Sequence, residues 1–297
     1  MMDQHLVVFV TVVERQNFSR AAEELHMTQP AVSQYIQTLE RETGTRLLER
    51  SNKYVRLTKA GEIVYYHAKE ITGLYDKMQM LVDDLTNNAK GELAIGASYT
   101  FGEYVLPHVI AKMQDRYPLI DPTISIGNTK EIEELVRNHQ LDVGIVEGKF
   151  ESKSLVMEPF AEDAMFIVLS SNHRFANQEN EIVLSDLAEE TWIVRENGSG
   201  TRAAVDEMFR LFEFAPKKMM EFGSTQLIKE SVEAGLGISL LSQLTIRKEL
   251  ALGTLQKIWV KGLPFTREFS IVTQTPFQTK SVQVFLELVR DNNIFFK

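Results

Sequence analysis

Hydrophobic positions near the start of the chain recur at steps of three and four, in three short runs that each leave a polar face. Leu6, Phe9, Val10 and Val13 make the first stripe, Ala21, Ala22 and Leu25 the second, and Val32, Ile36 and Leu39 the third. Thr28 can cap a helix and Pro30 fits a first turn, where its missing N–H costs little, so the third helix begins near Gln29. Opposite its apolar stripe stand Pro30, Ser33, Gln34 and Gln37. The small alanines let the second helix cross the third closely, as a helix-turn-helix must to aim its second helix into a major groove. A plain three-helix bundle with a solvated face is the alternative. Against it stands the segment RLLERSNKYVRLT, 46–58, in which apolar pairs flank a Ser-Asn turn. With Arg50, Lys53 and Arg56 it predicts a small hairpin wing that can touch phosphates.

After Thr58 the period lengthens. Val64, Ala68, Ile71, Tyr75, Met78, Val82 and Leu85 alternate steps of four and three, the heptad spacing that keeps a seam against a partner helix. A dimerisation helix follows, with packing on its own chain as the alternative, and Gly91 ends a linker over 86–91. Beyond it, GELAIGAS leads to a helix over 101–116, PTISIGN to one over 130–138, and LDVGIVEG is a third strand, a βαβαβ pattern with a parallel sheet. A second set runs through AMFIVLS, TWIVREN, a helix after Gly200, MMEFGS, a helix after Thr225 and GISLLS. REFSIVTQ and a helix over 280–291 return afterwards. The expected class is α/β, with an all-α winged helix-turn-helix domain at 1–58, a linker and dimerisation helix at 59–91, and a two-lobed domain at 92–297. Its lobe I spans about 92–161 and 266–297, and lobe II about 162–265.

At 297 residues and 44% hydrophobic content the chain can bury two or three cores. Residues 1–58 hold seven Lys/Arg and seven Asp/Glu, so the net charge of −9 belongs to the remainder. An acidic chain with a neutral head and a basic wing binds DNA through a limited footprint and not by general attraction. Zero cysteines exclude disulfides, thiol catalysis and thiolate metal sites. No apolar run is long enough to span a bilayer, and MMDQHLVVFV lacks a basic n-region, so a cytoplasmic protein without membrane contact is expected. HExxH, GxSxG and a Walker loop are missing, and the run from Gly235-Leu236-Gly237 has Leu240 at the third glycine position. The reading is a non-enzyme without cofactor or metal. A solute-binding protein would explain two lobes but not residues 1–90.

Open α/β sheets bind ligands beyond the carboxyl ends of their strands. Ser98 and Thr100 stand at one such end, Asn128 and Thr129 at another, Gly198, Ser199, Gly200 and Thr201 at a third, and Ser224 and Thr225 at a fourth. Each precedes a helix whose first N–H groups are unpaired, so together they can surround a small anion, although any one of them is explained by capping alone. Arg195 and Arg202 can add charge or form ion pairs, and Glu147 can oppose an anion, hold a cationic group, or be a solvated loop carboxylate.

The stretch FSRAAEELHMTQPAVSQYIQTLERETGTRLLER, with LTKAGE opening the long helix, resembles the LysR-type transcriptional regulators, and the resemblance covers the whole chain. It implies a homodimer, or a homotetramer as a dimer of dimers, on double-stranded DNA, with RNA polymerase as a further contact and a two-lobed, periplasmic-binding-protein-like effector domain. By that resemblance Gln29, Ser33 and Gln34 read base edges beside Pro30 and Gln37, and Arg50 and Lys53 hold phosphates. Ser98 and Thr100 match the first effector loop, and Ser199, Gly200 and Thr201 the opposite lobe. YVLPHVI, LDVGIVEG, WIVRENGSGTR and IKESVEAGLGISLLS are similar to the subgroup regulating sulfite and sulfur assimilation, though GSGT segments also occur in carbon-fixation regulators. Phe101 departs from the polar residue of acetylserine sensors, which favours a compact oxyanion, sulfite first, over acetylserine.

Overall fold

The computed structural model describes residues 4–50, 55–84, 89–148, 154–176, 178, 182–274 and 278–291, in two compact units, 1–86 and 87–297. The first unit contains α1 (Gln4–Arg15), α2 (Phe18–Glu24), α3 (Gln29–Glu42), β1 (Leu48–Arg50), β2 (Val55–Leu57) and α4 (Lys59–Asp84). Asn17 caps α2 by accepting the Ser19 and Arg20 N–H groups, and Thr28 caps α3 from Ala31 N–H. The stripes then close one core of Phe9, Ala21, Val32, Ile36 and Leu47. β1 and β2 pair antiparallel, with Leu48 opposite Leu57 and Arg50 opposite Val55. Glu40 on α3 accepts the Leu47 and Leu48 N–H groups at 2.9 and 3.2 Å, which fixes the wing to the third helix. At Gly61 an added Cβ would stand 2.0 Å from the Leu47 carbonyl, so only glycine lets α4 begin this close to the wing.

The expected seam on α4 needs correction. Ala68 is 1% exposed and joins Val64 and Tyr65 in the core of its own unit. Ile71 and Met78, 50% and 49% exposed, share the free face with Ile63, Tyr66 and Leu74. The heptad count found the period, but the start of the helix spends one stripe on the three-helix core and leaves its neighbour open. Leu85 and the Val82 side chain lie outside the described residues.

In the second unit β3 (Gly91–Ser98), α5 (Tyr99–Tyr104), α6 (Leu106–Arg116), β4 (Ile120–Gly127), α7 (Thr129–Arg137) and β5 (Val143–Glu147) form the first lobe. β3 pairs parallel with β4 and β5, as alternating strands and helices require. The single helix expected over 101–116 is two, broken at Val105, with Pro107 in the first turn of α6. Proline has no N–H to continue a helix and disfavours helical backbone before it.

β6 (Val156–Ser170) then crosses to the second lobe, built from β7 (Thr191–Arg195), α8 (Gly200–Leu211), β8 (Lys218–Phe222), α9 (Thr225–Glu233), β9 (Ser239–Ser242), α10 (Arg247–Leu252) and β10 (Leu255–Ile258). The chain returns along β11 (Phe265–Thr273) and ends its described part in α11 (Lys280–Val289). β11 pairs antiparallel with both β5 and β6, so one sheet, ordered β10-β6-β11-β5-β3-β4, runs through both lobes. β6 is far longer than AMFIVLS predicts, because pairing with β11 holds its polar first half extended. Ile95, Phe101, Met113, Ile145 and Phe285 fill one core; Ile167, Trp192, Met208 and Leu240 fill the other.

Candidate functional site

On α3 the burial of Val32, Ile36 and Leu39 turns Gln29, Pro30, Gln34 and Gln37 to the surface, with Ser33 half-buried beside them. Gln29 Nε2 donates to Ser33 Oγ at 2.9 Å, so the two polar side chains are held as a pair on an exposed helix start. Arg50 is the last residue of β1, whereas Lys53 lies outside the described residues.

In the second unit the central group is one that sequence reasoning missed. β6 and β11 place Asp163 directly opposite Arg267, and side chains opposite one another share a face of the sheet. Arg267 Nε donates to Asp163 Oδ2 at 2.8 Å, Nη1 to Thr201 Oγ1 at 3.0 Å and Nη2 to Thr100 Oγ1 at 3.0 Å. Thr100 and Thr201 hold the same place in their two lobes, the second residue of a helix that begins after a serine, in Ser98-Tyr99-Thr100 and Ser199-Gly200-Thr201. One guanidinium therefore ties the two helix starts together. Ser242 Oγ donates to Asp163 Oδ1 at 2.6 Å, and Glu147 Oε1 accepts Thr100 N–H at 3.2 Å and stands 3.9 Å from Arg267 Nη2. Burial pushes the Asp163 carboxyl above the usual aspartate range; Arg267 and Ser242 pull it back only in part, and the neighbouring Glu147 charge adds to the rise.

The expected effector residues divide. Thr100, Glu147, Gly200 and Thr201 meet at this cluster, and Thr129 Oγ1 donates to the Glu147 carbonyl at 3.3 Å. Glu147 is 3% exposed, not a solvated loop carboxylate. The other hydroxyl groups, and the side-chain oxygen of Asn128, are spent locally. Ser98 donates to the Ile145 carbonyl, Ser199 accepts Thr201 N–H, Ser224 accepts Leu227 N–H and Asn128 completes a capping box with Glu131. Ser224 belongs to the start of α9, where Thr225 accepts from Arg195. Phe101 is buried edge-on against Phe160 and Phe269 in the first core, so the inference drawn from its apolar character does not bear on the cleft. Arg202 forms an ion pair with Asp206 and Glu221, and the cation at the cluster is Arg267, 7% exposed.

The lobes are closed on one another around the cluster. Lys130 N–H donates to the Gly198 carbonyl at 3.2 Å, Asn128 Nδ2 to Glu196 Oε1 at 3.4 Å, and Arg195 lies 4.5 Å over the Tyr99 ring. Burial works against the Glu196 charge, but the bonds from Arg195 and Asn128 prevail and hold its carboxyl below the usual range. Gly200 packs so tightly that a Cβ there would stand 2.5 Å from the Glu147 carbonyl and 2.7 Å from its Cβ. A groove of about 890 Å³ borders Arg267, Gly148 and Gly200 and is also lined by Glu162, Glu207 and Glu268. Among the described residues no group of three or more His, Asp or Glu could hold a metal ion, and no helix is long and apolar enough to cross a membrane.

A winged helix-turn-helix unit and a two-lobed α/β unit closed over a buried polar cluster define a one-chain regulator with a ligand-binding part. Residues 4–62 match the bacterial regulatory helix-turn-helix protein, lysR family, and residues 86–293 match the LysR substrate binding domain. The chain belongs to the LysR family, DNA-binding transcriptional regulators that respond to small-molecule effectors. It is 38% identical to the HTH-type transcriptional regulator CysL of Bacillus subtilis over 97% of this chain and 96% of that protein. The CcmR regulatory domain of Synechocystis in complex with 2-PG is similar at TM-score 0.63 and 28% identity, covering 68% of this chain and 99% of that one. A full-length OxyR variant from Pseudomonas aeruginosa shares the fold at TM-score 0.78 and 24% identity, over 99% of this chain and 96% of that one.

Proposed function

We propose that this protein acts in the cytoplasm as a sequence-specific regulator whose α3 reads base edges through Gln29, Ser33 and Gln34, flanked by Pro30 and Gln37. Arg50 and Lys53, from the wing, hold phosphates. Residues 1–58 carry this work, 59–91 join two copies through the exposed face of α4 at Ile71, Leu74 and Met78, and 92–297 sense the effector. The effector is a small oxyanion, sulfite first, taken between the lobes at Arg267, Thr100 and Thr201. One observation carries this reading: a single buried guanidinium bonded to a hydroxyl from each lobe, which supports an anion site whose occupancy changes how the lobes meet. The subgroup resemblance of WIVRENGSGTR and IKESVEAGLGISLLS supports the sulfur assignment.

A second reading, a carbon-metabolism effector, is supported by the likeness to the CcmR domain that binds 2-PG. Calorimetry of the full chain with sulfite, sulfate, thiosulfate, acetylserine and 2-PG decides between them, and binding of 2-PG alone refutes the sulfur reading. For the DNA reading, Ser33→Ala and Gln34→Ala are expected to lose about 1–3 kcal/mol on the specific site with little change on random DNA. Gel shifts against the chain's own upstream DNA measure this, and equal losses on both DNAs refute base reading.

A further inference from the structure

The donors around Arg267 already surround an anion, and that anion is part of the protein. Thr100 N–H points at Glu147 Oε1, and Arg267 Nη2 stands 3.9 Å from the same oxygen. The Thr100 and Thr201 hydroxyls accept from Arg267 and keep their own protons to offer. From the other lobe, the first residue of α8, Gly200, rests on the Cβ and carbonyl of Glu147. The hold on this carboxylate is nevertheless thin for a buried charge, with one backbone hydrogen bond at 3.2 Å and one cation beyond hydrogen-bond distance. A second anion cannot be added beside it, because two like charges in one buried site oppose each other while Asp163 already answers the Arg267 charge.

Resting on the effector reading above, we propose that Glu147 is an internal stand-in for the effector, and that a small oxyanion binds Arg267, Thr100 and Thr201 only by displacing the Glu147 carboxylate. A trigonal or tetrahedral oxyanion offers three or more acceptor oxygens to the guanidinium, the two hydroxyls and the Thr100 N–H, against the single oxygen that Glu147 now presents. Glu147 takes its hydrogen bond from Thr100 in one lobe, whereas an oxyanion takes bonds from Thr100 in one lobe and Thr201 in the other, so the exchange is also the event that changes the contact between the lobes. The effector thus has the differential affinity for two lobe arrangements that any switch needs. Glu147, in this account, sets how tightly the site takes an anion.

The test is calorimetric titration of sulfite and of sulfate into the full chain, wild type beside Glu147→Gln, with gel shift and melting temperature recorded for each. Glutamine keeps the shape and an acceptor for Thr100 N–H but carries no charge to compete, so at least about tenfold tighter oxyanion binding is expected, equal to about 1.4 kcal/mol. Should Glu147→Gln lose its gel shift or melting transition, Glu147→Asp carries the test. Its carboxylate is drawn back by one methylene, and it too is expected to bind sulfite more tightly than wild type. Equal or weaker binding by the variant, with wild type binding, overturns the exchange and leaves the cleft as an effector site. No oxyanion binding by either protein overturns both readings together.

Discussion

Replacing Arg267 by methionine removes the cation bonded to both Thr100 and Thr201 while keeping a long apolar stem. Three hydrogen bonds go with it: 2.8 Å to Asp163, 3.0 Å to Thr201 and 3.0 Å to Thr100. Asp163 keeps only Ser242. Taking one partner from a buried ion pair costs about 3–5 kcal/mol, chiefly because the remaining charge stays buried and uncompensated, and a loss of that size is expected near neutral pH. The cost must depend on pH. Burial already raises the Asp163 carboxyl above the ordinary value, against the opposing pull of Arg267. Between about pH 4, where an unfolded aspartate has lost its proton, and that raised value, the native state holds a proton the unfolded chain lacks, so stability falls as pH rises. Without Arg267 the carboxyl rises further and the fall continues to higher pH. Arg267→Met with Asp163→Asn no longer strands the Asp163 charge, leaving only Glu147 without its cation, and is expected to recover about 2 kcal/mol of the loss, with a shallower profile over that range than Arg267→Met alone. Both tryptophans, Trp192 and Trp259, lie in the second unit, so urea unfolding followed by their fluorescence reports this unit alone. Parallel pH profiles for wild type and Arg267→Met, with no rescue by the double variant, refute the argument.

The same structure sets two further expectations. Ile71→Glu or Met78→Glu puts a charge on the free face of α4 and is expected to split dimers in sedimentation with folding intact, whereas Ala68→Glu forces a charge into the core of the first unit and is expected to unfold it; intact dimers in both of the first two variants refute the revised seam. Gly200→Ala brings a Cβ to within 2.5 Å of the Glu147 carbonyl, so the lobes cannot meet as they do and the second unit is expected to lose about 1–3 kcal/mol with DNA binding retained; an unchanged melting temperature refutes the close contact.

Local rules determined much of this protein from its sequence alone. The caps Thr28, Asn128, Ser199 and Ser224 sit at the helix starts they predict, because a cap answers only to the next few residues along the chain. The three amphipathic stripes close one core and the alternating strands and helices give a parallel sheet, since both patterns depend on periodicity that any reader of the chain can count. The central cluster left a trace that went unread. Arg267 falls on the same alternate face of β11 as Phe269 and Ile271, and Asp163 on the same face of β6 as Met165 and Ile167, each a charge standing at an apolar position. Only the register of β6 against β11 makes them partners, across about a hundred residues, and only the closure of the lobes brings Thr100 and Thr201 to one guanidinium. The same holds for α4, whose heptad was countable but whose free stripe was decided by what the three-helix core had already covered. Periodicity fixes which face of an element is apolar; what that face meets is settled by distant chain, through contacts whose energies no local window contains.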